Sequence, residues 1–172
     1  MNTNSTNASE MLTTAANSAH EGLLKFETLL RSLNDADLHR ADPEGGWAVA
    51  QIVSHIHICG LLWIADLERM RHEPEMFIFR EELGHDVVGA PPPSSKEAAE
   101  RIASLRHAMD ICLPAVDPTI ADKQLEVTTL GKMTISEWMP LLIGHLLGHA
   151  EQARTILRTR GILPAESENV QH

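Results

Sequence analysis

With 172 residues, 43% of them hydrophobic, the chain is long enough for one domain with a sizeable core and too apolar to be disordered. A formal net charge of −10 argues against a nucleic-acid backbone or an anionic membrane as partner, because both draw on clustered Lys and Arg. Aromatic residues are only 3% and Tyr is absent, so the core must rest mainly on Leu, Ile, Val, Ala and Met, a composition that suits helices.

Residues 1–9 are polar and lack the basic and apolar segments of a signal peptide, so they are expected as a disordered leader. Leu12, Ala16, Ala19, Leu23, Phe26, Leu30 and Leu33 then recur at helical spacing and predict a long amphipathic helix ending near Asn34-Asp35. Asp42 to Gly46 carries Pro and Gly and reads as a connector. Trp47 opens a second helix over roughly 48–71. Its main stripe is Val49, Val53, Ile56, Trp63, Leu67 and Met70, with a second seam of Ala48, Ile52, His55, Cys59, Leu62 and Asp66. His55 lies on the flank of the buried face, whereas His57 is turned about 200° from it and should sit outside or on the rim.

Residues 72–95, with Pro74, Gly84, Gly89 and three consecutive prolines, exclude a long helix. The segment is either a plain crossover or a cover for a site. Its His85-Asp86 pair is weak evidence of chemistry. A third helix is capped by Ser94 or Ser95, buries Ala98, Ile102, Leu105, Met109 and Cys112, and ends at Pro114, with His107 outside the seam. Leu125–Thr129 and Lys132–Ile135 flank Leu130-Gly131 and suggest a small hairpin. Thr134-Ile135-Ser136-Glu137 matches a capping box, and a fourth helix follows to about Arg160, stopped by Gly161. Pro140 should bend it or make its first turn irregular. The fold expected is all-α: a four-helix bundle over residues 10–162, with a flexible tail at 163–172. Uninterrupted apolar runs look too short to span a bilayer. The two distant cysteines fit a reducing compartment, so a cytoplasmic protein is expected.

The fourth helix carries the candidate chemistry. Its presumed inward seam is Ile135, Trp138, Leu142, His145, His149, Gln152 and Ile156. Four-residue spacing stacks the two imidazoles about 5–6 Å apart on one face. Inward imidazoles need partners. They either bond within the core or share a divalent metal, and His55 of the second helix supplies a third ligand. Three protein ligands leave a position open, as in catalytic zinc sites. Cys59, one turn after His55, is either a soft fourth ligand or a small buried hydrophobe. Gln152 either orients a ligand or is a surface amide. Asp66 is either an acid behind the site or a bundle-end charge. Gly144 and Gly148 either leave space near the site or let another helix pack closely.

Two stretches resemble one family. Trp47-Ala-Val-Ala-Gln-Ile-Val-Ser-His55 looks like the second-helix motif of the DinB/YfiT-like metalloenzymes, and Met133 through His145-x-x-x-His149-x-x-Gln152 is similar to their last helix. The resemblance spans roughly residues 10–160. It implies an up-down-down-up bundle, often a homodimer, with a divalent metal held by His55, His145 and His149. It also implies thiol-dependent S-transfer, with mycothiol or bacillithiol as co-substrate, or a related isomerisation. The residue after Trp47 is often Ser in that family and is Ala48 here, which affects a helix cap.

The function expected is therefore a metal-dependent S-transferase or hydrolase acting on a small electrophile, with Zn or Ni favoured and Fe, Co or Mn also accepted by imidazole. The competing reading is a non-catalytic homodimeric bundle that binds a metal or ligand. A closed site with Cys59 as fourth ligand would favour that second reading.

Overall fold

The computed structural model describes residues 3–41, 45–73, 76–78, 89–116, 118–128 and 130–164. Four long helices form the bundle: α1 (Thr3–Ser32), α3 (Val49–His72), α4 (Ser95–Cys112) and α6 (Ile135–Thr159). Two short ones, α2 (Asp35–His39) and α5 (Pro118–Ala121), lie in the connections. α1 begins at Thr3 rather than after a nine-residue leader. No Pro or Gly interrupts the chain before Gly22, so nothing there blocks helical propagation. The tail expected from 163 onward lies outside the described residues beyond Pro164, while Ile162 and Leu163 pack against the core.

Side-chain pairs fix the direction of each helix. His20 meets Asp110 and Glu27 meets Arg106, so α1 and α4 run antiparallel. Trp47 lies against His149 and Trp63 against His145, so α3 and α6 are antiparallel as well. Thr14 shares a groove with Ile143, and Lys25 another with Arg154, so α1 and α6 are parallel. Gly60 abuts Leu105 and Arg71 donates to the Ala115 carbonyl, so α3 and α4 are parallel. The topology is up-down-down-up. Two consecutive parallel helices need a connection that returns along the bundle. At about 1.5 Å per residue α3 is roughly 36 Å long, which explains the length of the 73–94 crossover.

Part of that crossover is a strand. β1 (Met76–Ile78) pairs parallel with β2 (Gln124–Val127), which pairs antiparallel with β3 (Gly131–Thr134) in the register Leu125 to Met133. The hairpin expected before the last helix is present; β1 is an addition to it. Lys123 Nζ donates to the Met70 carbonyl at 2.7 Å and ties the end of α3 to this sheet. His85-Asp86 lies outside the described residues.

The local signals act as expected at the caps. Thr134 and Glu137 form the capping box of α6, Ser94 caps α4, and Asn34 caps α2. Ala48 offers no side-chain acceptor to α3, but Gln51 Oε1 takes the Ala48 N–H at 2.9 Å, so half of a capping box survives. α6 is unbroken through Pro140. α3 is long and apolar enough to cross a bilayer by length and composition, contrary to the sequence expectation; in the bundle its apolar faces pack on α4 and α6.

The core is mainly aliphatic, as composition requires: Leu23, Leu30, Ile52, Ile56, Ile102, Leu105, Ile135 and Leu146 are fully enclosed, with Phe26 and Trp138 among them. One charged group is buried between α1 and α4. Glu27 receives Arg31 at 2.8 Å and Arg106 at 3.0 Å. Burial would raise its carboxyl pKa, but the two guanidinium hydrogen bonds outweigh that and hold it below the ordinary 4.5. A depressed folded-state pKa adds stability above the unfolded value, and that stability is lost as pH falls through the folded one. Glu27→Gln is therefore expected to destabilise the fold by about 1.5–3 kcal/mol at neutral pH. The deficit should shrink steadily below pH 4.5. Denaturant melts of both proteins across that range measure it, and a deficit independent of pH would contradict it.

Candidate metal centre

α6 presents its buried stripe through Ile135, Met139, Leu142, Ile143, Leu146, Ala150, Ala153 and Leu157. This corrects the seam read from sequence. The seam through 135, 138, 142, 145, 149, 152 and 156 is buried only as far as Leu142; beyond it His145 and Gln152 are exposed and His149 and Ile156 are half-buried. Both stripes have helical 3-4 spacing and share Ile135 and Leu142, so periodicity alone does not choose between them. The consequence is chemical. The α6 histidines lie at a flank that meets both α3 and solvent, rather than in a sealed core.

From α3, His55 comes to meet them and is 2% exposed. Its ring centroid is 4.6 Å from that of His149 and 5.5 Å from that of His145, and the two α6 rings are 4.6 Å apart. The three histidines singled out in the sequence thus share one locus. His55 Nε2 and His145 Nε2 are 3.2 Å apart, a spacing suited to a shared hydrogen or a shared cation. Zinc–nitrogen bonds near 2.05 Å at a tetrahedral angle separate two donor atoms by about 3.3 Å, close to the spacing of this pair. Gln152 Oε1 accepts from His149 Nδ1 at 2.8 Å. That bond holds the hydrogen on Nδ1 and leaves Nε2 with its lone pair.

Cys59 is buried beside His55, its Sγ 3.6 Å from Nε2 and 3.8 Å from Nδ1. His55, Cys59 and His145 offer donor atoms that all lie within 4.8 Å of one another and could hold a metal ion. Asp66 is buried and faces Arg69 of its own helix at 3.8 Å. His57, expected outside or on the rim, is half-buried; burial and the nearby Arg101 charge hold its pKa below the ordinary imidazole value. Gly144 and Gly148 border open space, so neither serves close packing within the chain.

Two site residues escaped the sequence reading. Trp47 lies tilted 4.9 Å from His55 and stacked 5.7 Å from His149, and Trp63 stands edge-on 5.6 Å from His145. Their spacing was the available signal: Trp63 lies eight residues after His55, about 80° round α3 from it, and Trp47 lies eight before it, just ahead of the first turn of that helix. They wall the imidazoles on two sides.

Residues 21–153 match the family model described as the DinB superfamily. The chain belongs to the DinB superfamily. A solved structure, YfiT from Bacillus subtilis, aligns with a TM-score of 0.73 at 15% identity, covering 87% of each chain. That protein is described as a probable metal-dependent hydrolase with an unusual four-helix bundle topology. At this identity the likeness establishes the DinB-type fold. No curated protein matches the chain.

Proposed function

We propose that this DinB-superfamily chain is a metal-dependent enzyme, a thiol-dependent S-transferase or a hydrolase, acting on a small electrophile at His55, His145 and His149. The observation that carries this reading is the convergence of three imidazoles from two helices, one of them buried and one exposed. A buried ligand anchors an ion, and an exposed edge admits a reactant to it. A divalent ion held there supplies Lewis acidity and lowers the pKa of a thiol or water brought against it. The chain's own contributions are distinct from that. His55 fixes the position of the site through the rigid core face of α3. Gln152 sets the tautomer of His149. Trp47 and Trp63 provide apolar walls that exclude water and suit the carbon skeleton of a small substrate.

Imidazole nitrogen accepts Zn or Ni and also Fe, Co or Mn. A low-molecular-weight thiol would serve as co-substrate. The reading places the enzyme in the cytoplasm, consistent with two cysteines left free. It also makes the protein a homodimer, for which the open strip of Leu141, Gly144 and Gly148 on α6 is a suitable contact. Light scattering that returns a monomer would remove the dimer.

The test of function is direct. Protein exposed to Zn and Ni should retain about one ion per chain by elemental analysis and should turn over small electrophiles with water or a thiol. Retention of no metal would overturn the proposal. A narrower result is expected at Gln152. Losing the partner of a ligating imidazole typically weakens metal affinity about 10–100-fold. Gln152→Ala should do so in a competition titration with a chromogenic chelator, and unchanged affinity would show that His149 needs no orienting partner.

A further inference from the structure

Trp63 walls the centre with its ring, yet it also carries a hydrogen-bond donor that this role leaves idle. The residue is 5% exposed. Its indole Nε1–H is buried and has no hydrogen-bond partner among the described residues. Buried indole N–H groups ordinarily find an acceptor, so one left over calls for an acceptor from outside the chain. The ring stands edge-on 5.6 Å from His145, the exposed imidazole of the three, and so on the side of the centre that a reactant reaches from solvent. The exposed side chains nearest to it along both helices are apolar. Leu62 lies seven residues after His55, on almost the same line of α3, and is 40% exposed. Leu141, one turn before His145 on α6, is 51% exposed.

We infer that the Trp63 indole N–H is the hydrogen-bond donor for an oxygen of the bound ligand, and that this ligand is a carbonyl or carboxylate compound with an apolar body; this rests on the metal-centre reading above. An indole N–H donates and cannot accept, so its partner must be an acceptor oxygen and not a hydroxyl proton. An apolar rim with one unused donor behind it suits a ligand that is mostly hydrocarbon and has a single such oxygen. A sugar or a phosphate ester would bring more polar atoms than this side of the centre can satisfy. The donor also fixes orientation, because it decides which end of the ligand faces α3.

Benzohydroxamate has a phenyl body, a carbonyl oxygen and an affinity for zinc, and serves as the probe. Full-length, zinc-loaded protein labelled with nitrogen-15 should give three indole N–H resonances, one for each tryptophan. Trp63→Phe identifies the Trp63 resonance; if that variant does not fold, nuclear Overhauser contacts to the His145 ring identify it instead. Benzohydroxamate should move this resonance downfield. By calorimetry Trp63→Phe should bind the probe about 10-fold more weakly, the effect of one lost hydrogen bond to a polar or charged group. Its zinc affinity should be unchanged. Thiophenol, which brings a ring and a sulfur but no oxygen, should bind both proteins alike. Zinc-loaded protein that does not bind benzohydroxamate, or binds it without moving the Trp63 resonance, would overturn the donor and leave the metal centre standing. So would an equal loss of thiophenol affinity in Trp63→Phe, or a Trp63 proton that exchanges magnetisation with a buried water when no probe is present. Failure to load zinc would overturn the metal centre itself, and the donor with it.

Discussion

His55→Ala is expected to abolish stoichiometric metal binding while leaving the helical bundle intact. His55 is the one imidazole of the three that the core holds, and it touches both others. The α6 pair alone would leave an ion with two nitrogens on a half-open helix flank. Loss of a residue that merely orients a ligand weakens metal affinity about 10–100-fold, so loss of the central ligand should cost more than about 100-fold. The fold should survive because the buried residues of α3 and α6 are mainly aliphatic, Ile52, Ile56, Leu142 and Leu146 among them. Elemental analysis with circular dichroism checks both halves. His57→Ala, two residues along on the half-buried side, is the control and should keep its metal. Full zinc occupancy in His55→Ala would mean that the ion sits elsewhere.

Much of this arrangement was legible in the sequence, for a physical reason. The seam of α1 is buried nearly as read, with only Ala16 half-buried, because a long helix with one apolar face has one way to meet a core. The capping box at Thr134 and the hairpin before it are local, and local chemistry decides them. His55, on the flank of an apolar stripe, was placed correctly as well.

What stayed hidden depends on contacts between elements. α6 carries apolar residues on two neighbouring stripes, and only packing against α1 and α3 selects the one centred on Leu146 and Ala150. Hence periodicity alone turns His145 and His149 inward, although one is exposed and the other half-buried. β1 exists only because β2 is beside it, and three residues carry no period. The close approaches at Gly22 to Leu147 and Gly60 to Leu105 bind α1 to α6 and α3 to α4, yet nothing near those glycines in the chain announces them. Gly144 and Gly148, by contrast, border open space.

Phe26→Ala is expected to do the reverse of His55→Ala: to weaken the fold severely and spare the ligand set. Phe26 is fully enclosed on α1, the helix that packs against both α4 and α6 but contributes no donor to the centre. Truncating a buried Phe removes its transfer energy and leaves a cavity, together about 3–5 kcal/mol. For a domain of this size that is a large fraction of total stability. The histidines are held differently, by α3 and α6, whose facing surfaces meet through His55, Trp47 and Trp63. Well below its lowered melting temperature, Phe26→Ala should therefore still bind about one metal ion per chain. Because an ion that binds only the folded state stabilises it by mass action, saturating zinc should also raise the variant's melting temperature. A variant that melts early and has lost its metal at low temperature would show that the bundle's far side governs the centre, and that the site is not the property of α3 and α6 alone.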